Sequence, residues 1–325
     1  MKSITFDSLN ISSMTIDLVP DCIKLWVSQF KEARGNLQHL PVQWSEDTDL
    51  LQSYLEQHLE KGQGIVSHSG GELVGFMTYD RFMFHGEETA FSPITGHASV
   101  PQGRSRIYQV MYRHLSGVWV SDGALNHMIT SYTSDRELVD SLFHLGFGVY
   151  VVDGFRDVSP VPNTGNVTVR EANLTDLAEV KRLATEFRHY FLQPPVFLVN
   201  KQEDDEYYSS LLNNKNGSVF VTESDCKLTG VLYIRINDKP DVYSLAAKGV
   251  GKIDKLGAYI EKSARGSGNG LVLLKAAVDW CGERGINIIH VDFESANLYA
   301  SGFWTKHFTP SLYSLRRKVN QDILG

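Results

Sequence analysis

Arg265-Gly266-Ser267-Gly268-Asn269-Gly270 is a glycine-rich turn between two segments of different character. Before it, residues 253–261 read as one strand. After it, Leu271, Leu274, Val278 and Cys281 recur on one face of a helix, and Gly285 supplies a stop just past Arg284. Strand, turn and helix in that order make an anion site for a physical reason. The first N–H groups of a helix have no partner inside it, and the helix dipole adds partial positive charge at the same end. Glycines let a pyrophosphate come close to those groups. Arg265 adds a direct charge. The turn does not end in Gly-Lys-Ser/Thr, so it is not a P-loop. It also lies late in its domain, without the βαβ repeat that a dinucleotide fold needs around it. A turn that merely required flexible residues would carry the same glycines, so the surroundings decide.

Working outward, the chain of 325 residues reads as one fold written twice. Residues 159–166, rich in Pro, Asn and Gly, form the expected linker. After it, Val167 to Ala172 alternate like a strand, Asn173 or Thr175 caps a helix, and Leu177, Val180, Ala184 and Phe187 follow at helical spacing. The start of the chain matches, with Met14-Thr15 leading into Leu18, Cys22, Leu25, Trp26 and Phe30. Each half then has a hairpin signal, at Gly70-Gly71 and at Asp225-Cys226, with a glycine two residues after a Leu in the second strand: Gly75 after Leu73, Gly230 after Leu228. Each half closes with a helix running into an aromatic residue, Phe147 or Phe308. The order is strand, helices, hairpin, strand, helix, strand, helix, strand, twice over. Internal duplication is the simplest explanation, with a period too long for a solenoid. The expected domains are 1–158 and 167–325.

Residues 265–270 fit the Arg/Gln-x-x-Gly-x-Gly/Ala signature of the GCN5-related N-acetyltransferases, the GNAT family. Asn297, Ala300, Phe303, Trp304 and Phe308 fit that family's second signature, an Asn-x-x-Ala-x-x-aromatic helix after the next strand, here residues 286–293. The second half resembles the family along its whole length, and the first half in element order and closing helix. The resemblance implies an α/β fold class of two tandem domains, each a mixed, mostly antiparallel twisted sheet flanked by helices. It implies acetyl-CoA as cosubstrate, lying between the strands that end near Glu261 and Phe293. Main chain at Tyr259 and Ile260 would pair with the pantetheine arm. The amides of Gly266, Ser267, Gly268, Asn269 and Gly270, with Arg265, would hold the pyrophosphate. Asn297 and Trp304 would flank the thioester.

The implied reaction is direct attack of an amine on the thioester, which needs a base to take a proton and charge stabilisation at the departing thiolate. Asp254 is the first candidate base, eleven residues ahead of Arg265, where some family members carry a Glu; Glu261 is the second. Many members use a Tyr as acid in the residue after the Phe303 position. Here it is Trp304, whose indole N–H donates a hydrogen bond but no proton. Tyr299 is the nearby substitute, or no acid is used. In the first half only Gly103 remains of the loop, and Phe143 stands where the Tyr would stand. Residues 1–158 are therefore expected to keep the fold and to bind no CoA in the usual way, with Arg104 and Arg106 at a solvated helix start.

Composition bounds the partners. Hydrophobic residues make up 42% and charged residues 21%, as in a globular protein, and the net charge of -7 argues against general nucleic-acid binding. It suits a cationic acceptor, either a small-molecule amine or a peptide amine. Cys22, Cys226 and Cys281 have no metal-site or disulfide spacing, so no metal is expected and the setting reads as reducing and cytoplasmic. No signal peptide and no membrane-length apolar run is visible. A monomer, its halves forming a pseudo-dimer, and a homodimer both fit. A module that binds CoA without turnover is the alternative to an enzyme, as is a protein N-acetyltransferase.

Overall fold

The computed structural model of the chain describes residues 4–162, 167–225 and 227–324. Residues 163–166 of the expected linker and Cys226 lie outside the described residues. In chain order the first half contains β1 Leu9–Ser13, α1 Val19–Asn36, α2 Gln43–Glu46, α3 Asp49–Glu60, β2 Gly64–Ser69 and β3 Glu72–Thr78. It continues with β4 Asp80–Phe84, β5 Glu87–Ser92, β6 His97–Ser99, α4 Arg104–Ser121, β7 Asn126–Tyr132, α5 Arg136–His144 and β8 Gly148–Asp157. The second half contains β9 Thr168–Glu171, α6 Leu177–Phe191, α7 Asp205–Leu212, β10 Gly217–Ser224, β11 Lys227–Ile236, β12 Gly251–Ile253 and β13 Ala258–Ile260. After these come α8 Asn269–Glu283, β14 Ile288–Glu294, α9 Leu298–His307 and β15 Thr309–Lys318. The element order repeats as the sequence predicts, except for the hairpin β4–β5, turned by His85 and Gly86 at positive φ, which has no counterpart in the second half.

Both paired hairpins form where the turn signals stand. β2 and β3 pair antiparallel around Gly70 and Gly71, whose φ values of +60° and +88° suit the tight turn. β10 and β11 pair antiparallel across Asp225. The repeated glycine of the second strand has a shared cause. An ideal Cβ on Gly75 would lie 2.7 Å from Ile107 on α4. One on Gly230 would lie 2.7 Å from Ile260 on β13 and 3.3 Å from Leu273 on α8. In the first half the helix after the turn, and in the second the side chains of Ile260 on β13 and Thr222 on β10, crowd this position so closely that it holds no side chain.

The chain divides into two compact units, and they are not the contiguous segments 1–158 and 167–325. Unit 1 comprises Met1–Asp153, Asp241–Leu245 and Pro310–Gly325; unit 2 comprises Gly154–Pro240 and Ala246–Thr309. In unit 1, β1, β2, β3 and β6 form one antiparallel sheet, and Leu312 to Lys318 of β15 pair antiparallel with β7. Helix α4 buries Ile107, Tyr108, Met111, Tyr112, Leu115 and Trp119 in the core of this unit. The segment 241–245 is held there by the Trp44 indole, which donates to Leu245 O at 2.8 Å, and by the Thr95 hydroxyl, which donates to Val242 O at 2.9 Å. In unit 2, residues 154–157 sit beside β14, with Phe155 4.9 Å from the His290 ring.

The expected single strand over residues 253–261 is two short strands. β12 pairs parallel with β14, Gly251 opposite Ile289 and Ile253 opposite Val291. Lys255 and Gly257 then adopt φ of +58° and +61°, which turns the chain. β13 resumes antiparallel to β11, with Gly230 opposite Ile260, and pairs with no other strand among the described residues. One edge of β13 is thus left without a strand partner among the described residues. No helix is long and apolar enough to cross a membrane, and no group of metal-ligating side chains stands together, among the described residues.

Candidate active site

The open edge of β13 is one wall of a cavity of about 590 Å³ in unit 2. Ala258, Tyr259 and Ile260 line it from the strand, and Arg265, Gly266, Gly268, Asn269 and Gly270 from the glycine turn. Asn297 to Ala300 with Phe303 and Trp304 line it from α9, and Phe187 and Tyr190 from α6. No Asp or Glu lines it among the described residues.

The turn is built to leave its amides free. Gly266 and Gly268 have φ of +80° and +91°, and a Cβ on Gly266 would point into open space. The buried Asn269 staples the turn: its amide nitrogen donates to Ala264 O at 3.0 Å and Ser267 Oγ at 2.9 Å, and its Oδ1 accepts from Thr229 at 3.1 Å. The main-chain N–H groups of residues 266–270 donate to no protein acceptor among the described residues. Such a cluster at the start of a fifteen-residue helix, opening on a cavity, is a preformed anion cradle.

Arg265 is also without a carboxylate partner among the described residues. Its Nε donates to Ile260 O at 3.1 Å, and its guanidinium lies 4.4 Å from the Tyr299 ring centre, 5.1 Å from Tyr190 and 5.7 Å from Tyr259. Asn297 is buried and caps α9, its Oδ1 accepting from Ala300 N and from the Tyr190 hydroxyl, both at 3.1 Å. Trp304 is buried against Phe303 and Phe308. Tyr299, by contrast, is 61% exposed.

The carboxylates lie differently. Asp254 falls in the bend between β12 and β13, outside the cavity wall, and is gripped by the Arg235 guanidinium at 2.6 and 2.9 Å. Glu261 is also outside the wall. Lys227 at 2.5 Å and Arg182 at 2.9 Å hold it, and these hydrogen-bonded cations keep its carboxyl below the usual range. Sequence reasoning passed over Glu294, the last residue of β14 and three before Asn297. No cation pairs with it among the described residues, and burial pushes its carboxyl up to about 7. It also passed over Tyr190, whose hydroxyl reaches Asn297 from α6; an aromatic residue at helical spacing reads as core.

The matching helix start in unit 1 is filled. Arg104 is not solvated: it is buried, bonded to Asp135 at 2.9 Å and Glu32 at 2.8 Å, because the chain turns it inward beneath α5. The Ser105 N–H donates to the Glu137 carboxylate at 3.1 Å, and Ile4 packs against Gly103. His97 on β6 spans to β7, its Nε2 on Thr130 O at 2.7 Å and its Nδ1 accepting from Tyr108 at 2.7 Å.

A sequence profile of the acetyltransferase (GNAT) family matches residues 181–308. No curated protein sequence matches the chain. Among solved structures, a GCN5-related N-acetyltransferase from Sphaerobacter thermophilus is similar over 96% of both chains, with 13% identity and a TM-score of 0.53. A glucosamine N-acetyltransferase region of a fungal multi-domain GH3 β-N-acetylglucosaminidase is similar over 95% of this chain and 38% of that one, with 13% identity and a TM-score of 0.53. These likenesses are of fold, and they run through both halves of the chain.

Proposed function

We propose, from the premise that this chain is an acyltransferase with a GNAT acetyltransferase domain at residues 181–308, that it moves an acetyl group from acetyl-CoA to an amine. The observation that carries the reading is the run of amides at 266–270 with no protein acceptor among the described residues, of which Gly266, Gly268, Asn269 and Gly270 line the same cavity as the unpaired edge of β13. That pairing fits a long ligand with a diphosphate at one end and an amide-bearing arm at the other. The amides of residues 266–270 hold the diphosphate. Main chain at Tyr259 and Ile260 hydrogen-bonds the arm, and Asn297 and Trp304 flank the thioester.

The chemistry then follows from charge. An ammonium has no lone pair, so the acceptor must lose a proton before its nitrogen attacks the thioester carbon. A C–N bond forms, the C–S bond breaks, and the thiolate takes up a proton. Glu261 is held by cations that keep its carboxyl low, which weakens it as a base, and Asp254 is gripped by Arg235 outside the cavity wall. Glu294 is not so held, and it exchanges its proton near neutrality. We therefore assign the base to Glu294, which is not among the residues that line the cavity and so would act through a water. Tyr299 is the one hydroxyl on the first turn of α9 at the cavity and serves as acid if one is used.

Calorimetric titration of acetyl-CoA, followed by thiol release with a panel of amines, tests the reading. One saturable site and turnover with at least one amine would support it. Absent binding would end it. Tight binding without turnover on small amines or peptides would favour a module that senses CoA, to which Trp304 in place of a tyrosine also points.

A further inference from the structure

Three tyrosines from three elements converge on one cation: Tyr190 from α6, Tyr259 from β13 and Tyr299 from α9. Two of the three are fixed from behind. Tyr190 is tied to Asn297, and Tyr259 stacks on Phe187 at 5.4 Å with the rings 29° apart. The face of each ring carries negative electrostatic potential, so the three form a cage for positive charge. The cage has an occupant in this structure, the Arg265 guanidinium, which stands in for any planar or compact cation of that size. No carboxylate lines the cavity among the described residues, so the rings are the groups there that attract a cation, while Lys306 and His307 line it as well.

Arg265 precedes the glycine turn directly, so its side chain has two competing attractions. One is the tyrosine cage where it lies. The other is an anion seated on the amides of residues 266–270, which attracts a guanidinium more strongly than a ring does. An anion on the turn therefore draws Arg265 out and vacates the cage.

We propose that the cage is a subsite for the acceptor, and that it takes a second cationic group of that molecule, an ammonium or guanidinium distinct from the amine that is acetylated. The inference rests on the acyl-transfer reading for the word acceptor, while the cage itself stands on the three distances. The acceptor class is accordingly an amine with at least two positive centres, a polyamine or a basic peptide. Arg265, as a tethered cation, competes at an effective concentration of order millimolar and keeps free cations out until the turn is loaded.

The test uses the full chain and three probes: n-butylguanidinium, 1,4-diaminobutane and, as neutral control, 1-butanol. Binding is read by calorimetry and by tyrosine ring NMR shifts. The wild type should bind the cations weakly, and at least about tenfold more tightly when CoA is present. R265A should bind them about tenfold more tightly than wild type with no CoA at all. Adding Y299L, at an exposed position that leaves folding intact, should remove that gain, whereas Y190F, which keeps the ring, should retain most of it. Equal affinity of R265A and wild type, or equal binding of the neutral probe, would overturn the proposal. If CoA fails to bind wild type while R265A still gains the cations, the cage stands and the acyl-transfer reading falls.

Discussion

At the start of α8 the main-chain N–H groups of residues 266–270 donate to no protein acceptor among the described residues; at the start of α4 the same place is filled from within. Glu137 supplies the carboxylate, Ile4 covers Gly103, and Arg104 is turned inward onto Asp135 and Glu32. The strands differ in the same sense. β13 and β6 each pair with one strand only among the described residues, but β6 is tied to β7 by the buried ring of His97. The two units share a topology down to the glycine beneath the helix. What separates the two helix starts is thus a handful of side chains that, in unit 1, occupy the groups left without a protein partner in unit 2.

The sharpest way to break the comparison is at the reaction. Glu294→Gln should lower kcat about a hundredfold and leave acetyl-CoA affinity unchanged, as expected for loss of a general base. In the wild type kcat should rise with pH through about 7 and then level off, because the carboxyl must be deprotonated to act. A flat profile, or full activity in the variant, would return the role to Asp254 or Glu261. Next in size is binding. Gly268→Glu puts a like charge where the diphosphate sits and strains a residue with φ of +91°, so affinity for acetyl-CoA should fall at least about a hundredfold by calorimetry. Ser105→Glu, at the filled helix start of unit 1, should leave it unchanged. If both variants lose binding, the two copies are not as different as drawn.

The closed copy should also show itself in acid. His97 and His127 are buried and hydrogen-bonded as neutral rings, and burial pushes both down to about 4 from 6.5. The unfolded chain binds protons that these rings refuse, so stability is complete above about 6.5 and falls as pH drops toward 4. Each ring contributes about 3 kcal/mol across that window. Chemical denaturation at a series of pH values measures it, and His97→Gln should flatten the dependence by roughly half. The smallest effect concerns what the units share. Gly75→Ala and Gly230→Ala should each cost about 1–3 kcal/mol, since the added carbon would lie 2.7 Å from a neighbour in both. Only the second, beneath Ile260, should also weaken acetyl-CoA binding.

Much of this was legible in the sequence because it is local. The alternation, the helical spacing, the paired glycines and the turn at 265–270 are set by residues a few positions apart, and each stands where read. The hairpin β4–β5 was missed although His85-Gly86 is a turn signal, because the duplicated pattern supplied no place for it. The break at 254–257 was missed because an apolar run states that a strand forms and not which neighbour it keeps. The boundary of the units follows the same rule: residues 154–157 and 310–318 look like closing strands, and nothing in their periodicity names the sheet they join. Glu294 was missed because the sequence shows a carboxylate and the fold alone decides its burial.

The exchanged ends bear on where the chain can be cut. Unit 1 owns residues 310–325 and unit 2 owns Gly154 onward, so neither unit is encoded by one uninterrupted half of the chain. A truncation that discards the first half takes away part of what the second half needs, and the reverse holds equally. Expression of 167–325 alone would yield an incomplete fold with a stranded β15. A cut within 159–166 would instead leave two pieces that each carry a part of the other. A chain whose two units are interleaved in this way is kept or lost as a whole.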